Sequence, residues 1–125
     1  MISNKMLDFL RDLAANNDKD WFHANKSRYQ SVRKAFERYI AQLIAGIAVF
    51  DDSVKNLQPK DCMFRINRDI RFTHDKSPYK TNFGAFIAPG GRRAGHAGYY
   101  FHVEPDNSFV AGGIYRPSAN RLKAI

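Results

Sequence analysis

The spacing of apolar residues changes near residue 60, and this change limits the folds that the chain can adopt. Before residue 60, apolar side chains recur at intervals of three and four positions, as in helices that bury one face. After it, apolar and polar side chains alternate, as in strands that bury one face. The sequence therefore predicts an α+β fold, in which N-terminal helices pack against an antiparallel β-sheet with meander topology.

Two main helices are predicted in the first part of the chain. The first begins after Ser3, whose hydroxyl is expected to cap it, and a short helical turn capped by Asp20 is expected next. The second main helix is predicted from about Lys26 to Phe50. Because its second half is apolar nearly all round, we expect that half to be covered on most sides.

The second part of the chain contains several strand candidates, which are residues 62–66, 82–89, 98–104 and 108–115. A turn-forming sequence separates the last two candidates and predicts that they form a hairpin. On the third candidate, Tyr100, His102 and Glu104 share one face. We interpret this face as an ordinary exposed sheet surface, and the alternative is that it lines a groove.

The length and composition of the chain predict one domain. The chain has 125 residues, 44% of them apolar, which is enough for a packed core. Residues 117–125 begin like a helix, but the pattern stops early, so we expect this domain (residues 1–125) to be incomplete at its C-terminus. The longest apolar run, residues 39–50, is too short to span a bilayer, and no membrane partner is expected. The single Cys62 and an N-terminus without a secretory pattern predict a cytoplasmic location.

An excess of positive charge lies in the second half of the chain. Residues 1–59 carry nine Lys and Arg against seven Asp and Glu, whereas residues 60–125 carry eleven against five. The net charge of +8 therefore points to an anionic partner, such as a phosphorylated small molecule, a nucleic acid or an acidic surface. The alternative is that the basic surface only keeps the protein soluble.

The sequence RDIRFTHDKSPYKTN, residues 68–82, is the most polar segment of this half and has neither helical nor strand periodicity. Arginine binds phosphate or carboxylate in a bidentate manner, and lysine adds a point charge, so we expect an anion-binding site here. The candidate ligand-binding residues are Arg65, Arg68, Arg71, Lys76, Tyr79 and Lys80. The alternative is that Asp69 and Asp75 pair with two of the arginines and hold the loop in place.

The same segment contains candidates for acid–base catalysis. His74 is the candidate general acid or base, because the ordinary pKa of histidine lies near neutrality. Asp69 and Asp75 could orient His74 or carry the proton themselves. No recognised catalytic motif organises these residues, so an enzyme acting on a phosphorylated substrate is an alternative function.

Residue types also bear on nucleic-acid, metal and cofactor binding. Phe72 and Tyr79 are aromatic residues among basic ones, which keeps nucleic-acid binding as a third function. The histidines lie in separate segments without helical spacing, so no metal site is expected. The glycine-rich loop, residues 89–98, lacks the dinucleotide fingerprint and no cofactor is expected, although Arg92 and Arg93 could close over a bound anion.

The central segment also carries a resemblance to a known family. The sequence FRINRDIRFTHDKSPYKTNFGAF, residues 64–86, resembles the signature of an uncharacterised, mainly bacterial family known as domain of unknown function number twenty-four sixty-one. Residues 9–30 and the sequence GGIYRP, residues 112–117, are similar to segments of the same family. Its members are usually longer, which implies a truncated C-terminus here. The resemblance implies no activity, because none is firmly assigned to the family.

Overall fold

The structure, a computed structural model, describes residues 3–114, in which the helices come first and the strands follow. The helical elements are α1 (Asn4–Ala15), α2 (Lys19–Ala24), α3 (Lys26–Ala48), a 3₁₀ turn (Asp52–Val54) and α4 (Pro59–Cys62). The strands are β1 (Phe83–Ile87), β2 (Ala97–Val103) and β3 (Phe109–Ile114). The helix predicted from Pro117 and the expected incomplete C-terminus concern residues outside the described range.

The N-termini of the first two helices are capped by side chains. The hydroxyl of Ser3 accepts a hydrogen bond from the backbone N–H of Met6 at 3.3 Å, which confirms the predicted cap of α1. The cap of α2 is Asp18, whose carboxylate accepts from the N–H of Trp21 at 2.7 Å, so the prediction of Asp20 is wrong. Asp18 has the extended backbone of a capping residue, whereas Asp20 lies in the first turn, where a carboxylate interacts favourably with the helix dipole.

Helix α3 buries one face, flanks it with partly buried residues such as Tyr39 and Leu43, and exposes the opposite face. Its buried residues are Val32, Phe36, Ile40, Ile44 and Ile47. The helix ends at Ala48, and Phe50 beyond it is 72% exposed. The expectation that the second half would be covered on most sides is therefore wrong for the described part of the chain. Its outward positions include Ala45 and Gly46, whose small side chains cost little when they face water.

The sheet is an antiparallel meander in the order β1-β2-β3, which confirms the predicted α+β arrangement. In this register, His102 of β2 lies opposite Gly84 of β1 and Phe109 of β3. Because side chains alternate across a sheet, Gly84, His102 and Phe109 lie on one face. That face also carries Tyr100, which lies opposite Phe86.

Residues 62–66 do not form the predicted strand. Cys62 ends α4, which starts at Pro59, and Met63 forms only an isolated bridge with Ala85 of β1. The backbone N–H of Phe64 also donates to the carbonyl of Gly84 at 2.9 Å. The segment therefore runs beside β1 for a short distance, because the chain is still helical where the predicted strand would begin.

The core lies between the helices and one face of the sheet. The ring of Phe83 stacks against Phe9 of α1 and Phe36 of α3, with ring centroids 6.5 and 5.4 Å apart. The buried sheet residues of this face are Phe83, Ala85, Ile87, Phe101 and Val103. The opposite face of the sheet carries Phe86, Tyr100 and His102. Within residues 3–114, no helix is both long and apolar enough to cross a bilayer.

Candidate functional site

A cavity of about 470 Å³ lies over the sheet face that points away from the helices. It is lined by Phe64, Lys80, Asn82, Phe86, Tyr100, His102, Ala111, Gly112, Gly113 and Ile114. Tyr100 and His102 therefore line a groove, and their interpretation as an ordinary exposed sheet surface is wrong. Phe64, whose segment runs beside β1, forms part of the cavity wall, and its ring centroid lies 6.1 Å from that of Tyr100.

Lys80 contributes a half-buried positive charge to the cavity wall. Its backbone N–H donates to the carbonyl of Ile66 at 2.8 Å, which fixes where the side chain leaves the chain. Burial lowers the pKa of Lys80, and the charges of Arg65 and Arg92 lower it further. No carboxylate within residues 3–114 forms an ion pair with its ammonium group. The cavity thus has a cation without a counter-charge from the described residues.

A second cation, the guanidinium of Arg92, lies beside Phe64 of the cavity wall. The ammonium of Lys80 lies 5.6 Å from the centroid of its ring, and the guanidinium of Arg92 lies 5.9 Å from it, both within cation–π range. The backbone N–H of Arg92 donates to the carbonyl of Asp61 at 3.0 Å. Gly91 permits this contact, because its φ is +94° and an added Cβ would lie 2.9 Å from the same carbonyl oxygen.

A chain of hydrogen bonds runs along this face from Glu104 to Tyr100. Nε2 of His102 lies 2.8 Å from a carboxylate oxygen of Glu104, and Nδ1 lies 2.8 Å from the hydroxyl of Tyr100. The hydrogen bond with His102 is the main cause that lowers the pKa of Glu104, so the carboxylate is ionised at neutral pH. An ionised carboxylate can only accept, so we assign the proton to Nε2. Nδ1 is then the acceptor for the phenol of Tyr100.

Further side chains hold this arrangement in place. The other carboxylate oxygen of Glu104 accepts from the hydroxyl of Thr81 at 2.9 Å, and the His102 ring stacks on Phe109 with centroids 4.6 Å apart. The amide nitrogen of Asn82 lies 3.3 Å from Nδ1 of His102. The side chain of His102 is only 13% exposed. The imidazole is therefore held by a stacked ring on one face and by polar contacts at both nitrogens.

Gly84 makes room for the phenol. A Cβ added to Gly84 would lie 2.9 Å from the hydroxyl oxygen of Tyr100, closer than real Cβ contacts allow. The Tyr100 ring therefore lies directly across the backbone of β1. A glycine at this position of the strand allows the hydroxyl to reach Nδ1 of His102.

The basic segment, residues 65–80, uses most of its own cations to hold its conformation. Arg71 forms a bidentate pair with Asp69, with nitrogen–oxygen distances of 3.0 and 2.8 Å, and this pairing lowers the pKa of Asp69 to about 2. Arg68 pairs with Asp75 at 3.3 Å and donates to the carbonyl of Ser77 at 3.0 Å. Lys76 donates to the carbonyl of Ile70 at 2.6 Å. Arg68 and Arg71 therefore pair with Asp75 and Asp69, as the alternative interpretation of the sequence predicted.

The remaining candidates are divided between the core, the surface and the cavity. Tyr79 is only 6% exposed and stacks on Phe22 at 4.1 Å, and burial is the main cause that raises its pKa. His74 is exposed, and no hydrogen bond joins it to Asp69 or Asp75. Arg65 and Lys80 are the two candidates whose charges act on each other near the cavity.

A second cavity of about 400 Å³ lies between the end of α1 and the basic segment. Its lining includes Arg68, Asp75, Tyr79 and Lys80, so Lys80 contributes to both cavities. Here the charge of Arg68 is already neutralised by Asp75. In the part of the chain that the structure describes, no three His, Cys, Asp or Glu side chains are grouped so that they could hold a metal ion.

Several residues of the site were not among the sequence-based candidates. Tyr100, His102 and Glu104 were grouped on one strand face by their alternation, but the cover over that face depends on the irregular segment around Phe64. Arg92 was expected only to close over a bound anion with the glycine-rich loop, not to lie beside Phe64. Gly84 and Asn82 carry no pattern that marks them, because their roles depend on strand register.

The chain was compared with known proteins. The sequence profile of the family described as "Conserved hypothetical protein (DUF2461)" matches residues 5–125. No curated protein and no solved structure gives a significant match. The family match covers nearly the whole chain and agrees with the resemblance carried by residues 64–86. The chain therefore belongs to the DUF2461 family of conserved hypothetical proteins.

Proposed function

We propose that this protein binds a small anionic ligand in the cavity on the outer sheet face, with Lys80 as the residue that contacts the anionic group. The observation that carries this proposal is the half-buried ammonium of Lys80, which has no carboxylate partner within residues 3–114. Burying a charge is costly unless a partner compensates it. A bound anion would supply that compensation.

The walls of the cavity indicate the rest of the ligand. Phe64, Phe86, Tyr100 and Ile114 present aromatic and aliphatic surface. Ligand sites commonly combine such surface with a few polar groups that fix orientation, and here these are Lys80, Asn82 and His102. The ligand class that fits is a phosphate or carboxylate joined to a flat apolar or aromatic group.

This proposal puts the anion site at Lys80 rather than along the whole basic segment. The sequence pointed to the whole basic segment, but Arg68, Arg71 and Lys76 already bind acceptors of that segment. Arg65 and Arg92 add positive potential near Lys80. They would assist binding without contacting the ligand directly. A cytoplasmic location, inferred from the single reduced Cys62, belongs to the same proposal.

The proposal is tested by titrating isotopically labelled protein with phenyl phosphate and following amide chemical shifts. We expect a Kd below about 1 mM, with shifts at the side-chain amide of Asn82 and the backbone amides of Tyr100 and His102. Lys80→Met keeps most of the aliphatic stem and removes the charge. Because hydrogen bonds to charged groups contribute about 1.5–3 kcal/mol, we expect this variant to bind at least about tenfold more weakly.

Lys76→Met is the matched control. Lys76 belongs to the basic segment but donates to the carbonyl of Ile70, so its loss should leave the affinity for phenyl phosphate unchanged. Shifts confined to residues 68–78, or equal affinity in wild-type and Lys80→Met protein, would contradict a site in the cavity. Inorganic phosphate should bind more weakly than phenyl phosphate, because it cannot use the aromatic walls.

Nucleic-acid binding is the second candidate function, and one observation favours it. Phe72 is 90% exposed, and the guanidinium of Arg71 lies 5.4 Å from the centroid of its ring. Exposed aromatic rings beside arginine can stack on the bases of single strands. Anisotropy with a labelled oligothymidylate at low salt tests this candidate. Binding that weakens with salt and in Phe72→Ala would support it, and no binding at low salt would exclude it.

A further inference from the structure

The chain of hydrogen bonds from Glu104 through His102 reaches the phenol of Tyr100 in the cavity wall. We propose that Tyr100 is a catalytic residue that takes a proton from a carbon next to a carbonyl group of the ligand. The substrate class is a keto acid with an aromatic or apolar side, and the reaction class is keto–enol tautomerisation. This inference rests on the proposed function, because Lys80 is the residue that holds the anion.

The direction of the hydrogen bonds supports a base rather than a passive contact. The carboxylate of Glu104 accepts from Nε2 of His102, which leaves Nδ1 as the acceptor 2.8 Å from the hydroxyl of Tyr100. A reactive group, a base beside it and a third group that orients the base form the arrangement found where side chains are activated. Glu104 also stabilises the imidazolium that forms when Nδ1 takes the phenolic proton.

The reaction can be written without another reactant. The phenolic proton of Tyr100 moves to Nδ1 of His102, and the phenolate oxygen takes the proton of the substrate carbon. The electron pair of the broken C–H bond forms a C=C bond, and the carbonyl π pair moves to oxygen as an enolate. Tyr100 then gives its new proton to the enolate oxygen, and His102 returns a proton to Tyr100.

Lys80 supplies the complementary charge for this reaction. It lines the same cavity as Tyr100 and His102, so its ammonium can stabilise the negative charge that develops on the enolate. The cavity lining thus combines a cation with a base, which are groups that proton abstraction next to a carbonyl requires. His74, by contrast, is exposed, and no side chain of residues 3–114 forms with it a hydrogen bond like those of His102.

The activation of Tyr100 can be measured with a neutral reagent, benzenesulfonyl fluoride. The phenol oxygen attacks sulfur, fluoride leaves, and His102 takes the proton, so the rate of labelling reports the base. Peptide mass spectrometry should find Tyr100 labelled about 100-fold more slowly in His102→Gln than in wild-type protein. Glu104→Gln keeps the shape of the side chain and should also slow the labelling.

Tyr99, which is 38% exposed and points to the other face of β2, is the internal control. Its labelling rate should be the same in all variants. Wild-type protein should be labelled at Tyr100 already at neutral pH, whereas His102→Gln should be labelled there mainly at alkaline pH, where free phenols ionise. If His102 only supported the fold, replacing it would not change the pH profile of Tyr100 labelling.

The reaction itself is tested with phenylpyruvate in D₂O by following deuterium incorporation at its methylene carbon. Exchange should be accelerated by wild-type and Tyr99→Phe protein and lost in Tyr100→Phe and Lys80→Met. Failure of the two proposals can be distinguished, because benzenesulfonyl fluoride carries no charge and labels Tyr100 without Lys80. Equal labelling of Tyr100 in wild-type and His102→Gln protein, or equal exchange in wild-type and Tyr100→Phe protein, would overturn the inference.

Discussion

The side-chain amide of Asn17 forms two hydrogen bonds with the backbone of Tyr79, which lies 62 positions later in the chain. Its nitrogen donates to the carbonyl of Tyr79 at 2.8 Å, and its oxygen accepts from the N–H of Tyr79 at 3.1 Å. These bonds join the end of α1 to the end of the basic segment. Tyr79 directly precedes Lys80, so the contact helps to position the cation of the cavity.

We predict that Asn17→Ala destabilises the protein by roughly 1–3 kcal/mol, because two partly buried backbone groups lose their partner. Urea unfolding measures this loss. Asn16→Ala is the matched control, since the amide of Asn16 makes one exposed hydrogen bond to the carbonyl of Asp12. Its cost should be clearly smaller. Equal costs for the two variants would show that the link to Tyr79 contributes little.

The stability of the protein should fall at alkaline pH through Cys62. Burial is the main cause that raises the pKa of this thiol from 9.0 to about 11. Between these values the unfolded chain loses its thiol proton and the folded chain keeps it, so the free energy of unfolding decreases as the pH rises. The slope from this group is at most about 1.4 kcal/mol per pH unit.

Cys62→Ala isolates this contribution, because the variant has no thiol to titrate. The stability difference between wild-type and variant protein should be constant up to about pH 8 and should decrease from there to about pH 10.5. Urea unfolding at several pH values gives the difference. A difference that stays constant over this range would contradict a raised pKa in the folded state.

Two glycines should respond to alanine in opposite directions. A Cβ at Gly84 would lie 2.9 Å from the hydroxyl of Tyr100, so Gly84→Ala should destabilise the protein by about 1–3 kcal/mol. It should also shift the NMR signals of the His102 ring. Gly46 lies inside α3 with no atom within 4 Å of such a Cβ, so Gly46→Ala should stabilise by about 0.5–1 kcal/mol. Stabilisation by both variants would show that Tyr100 is not held against β1.

The order of helices and strands could be predicted from the sequence, because it depends on local periodicity. The stripes of α1 and α3 and the alternation of β2 identify those elements. Residues 62–66 were misassigned because Pro59 starts a helical turn that runs into an alternating pattern. The exposed face of α3 was not foreseen, because apolar composition does not show which side meets the sheet.

The site was harder to predict from the sequence than the fold was, for a physical reason. Cations that crowd one segment, such as Arg68 and Arg71, are the ones that find carboxylates close by in the chain. Lys80 lies next to the start of the sheet and forms no ion pair with a carboxylate of residues 3–114. Its neighbours in space, Phe64 and Arg92, come from distant segments and are brought together only by folding.

The central claim is that Lys80 is the cation that binds the anionic ligand. Its most direct test is to measure the pKa of Lys80 with and without phenyl phosphate. The Cε and Nζ signals of Lys80, assigned with Lys80→Met, report its protonation by NMR. Without ligand, its pKa should lie below 10.5, because of burial and the charges of Arg65 and Arg92. Saturating phenyl phosphate should raise the pKa, because an opposite charge favours the protonated amine. A pKa of Lys80 that is the same with and without phenyl phosphate would contradict the claim.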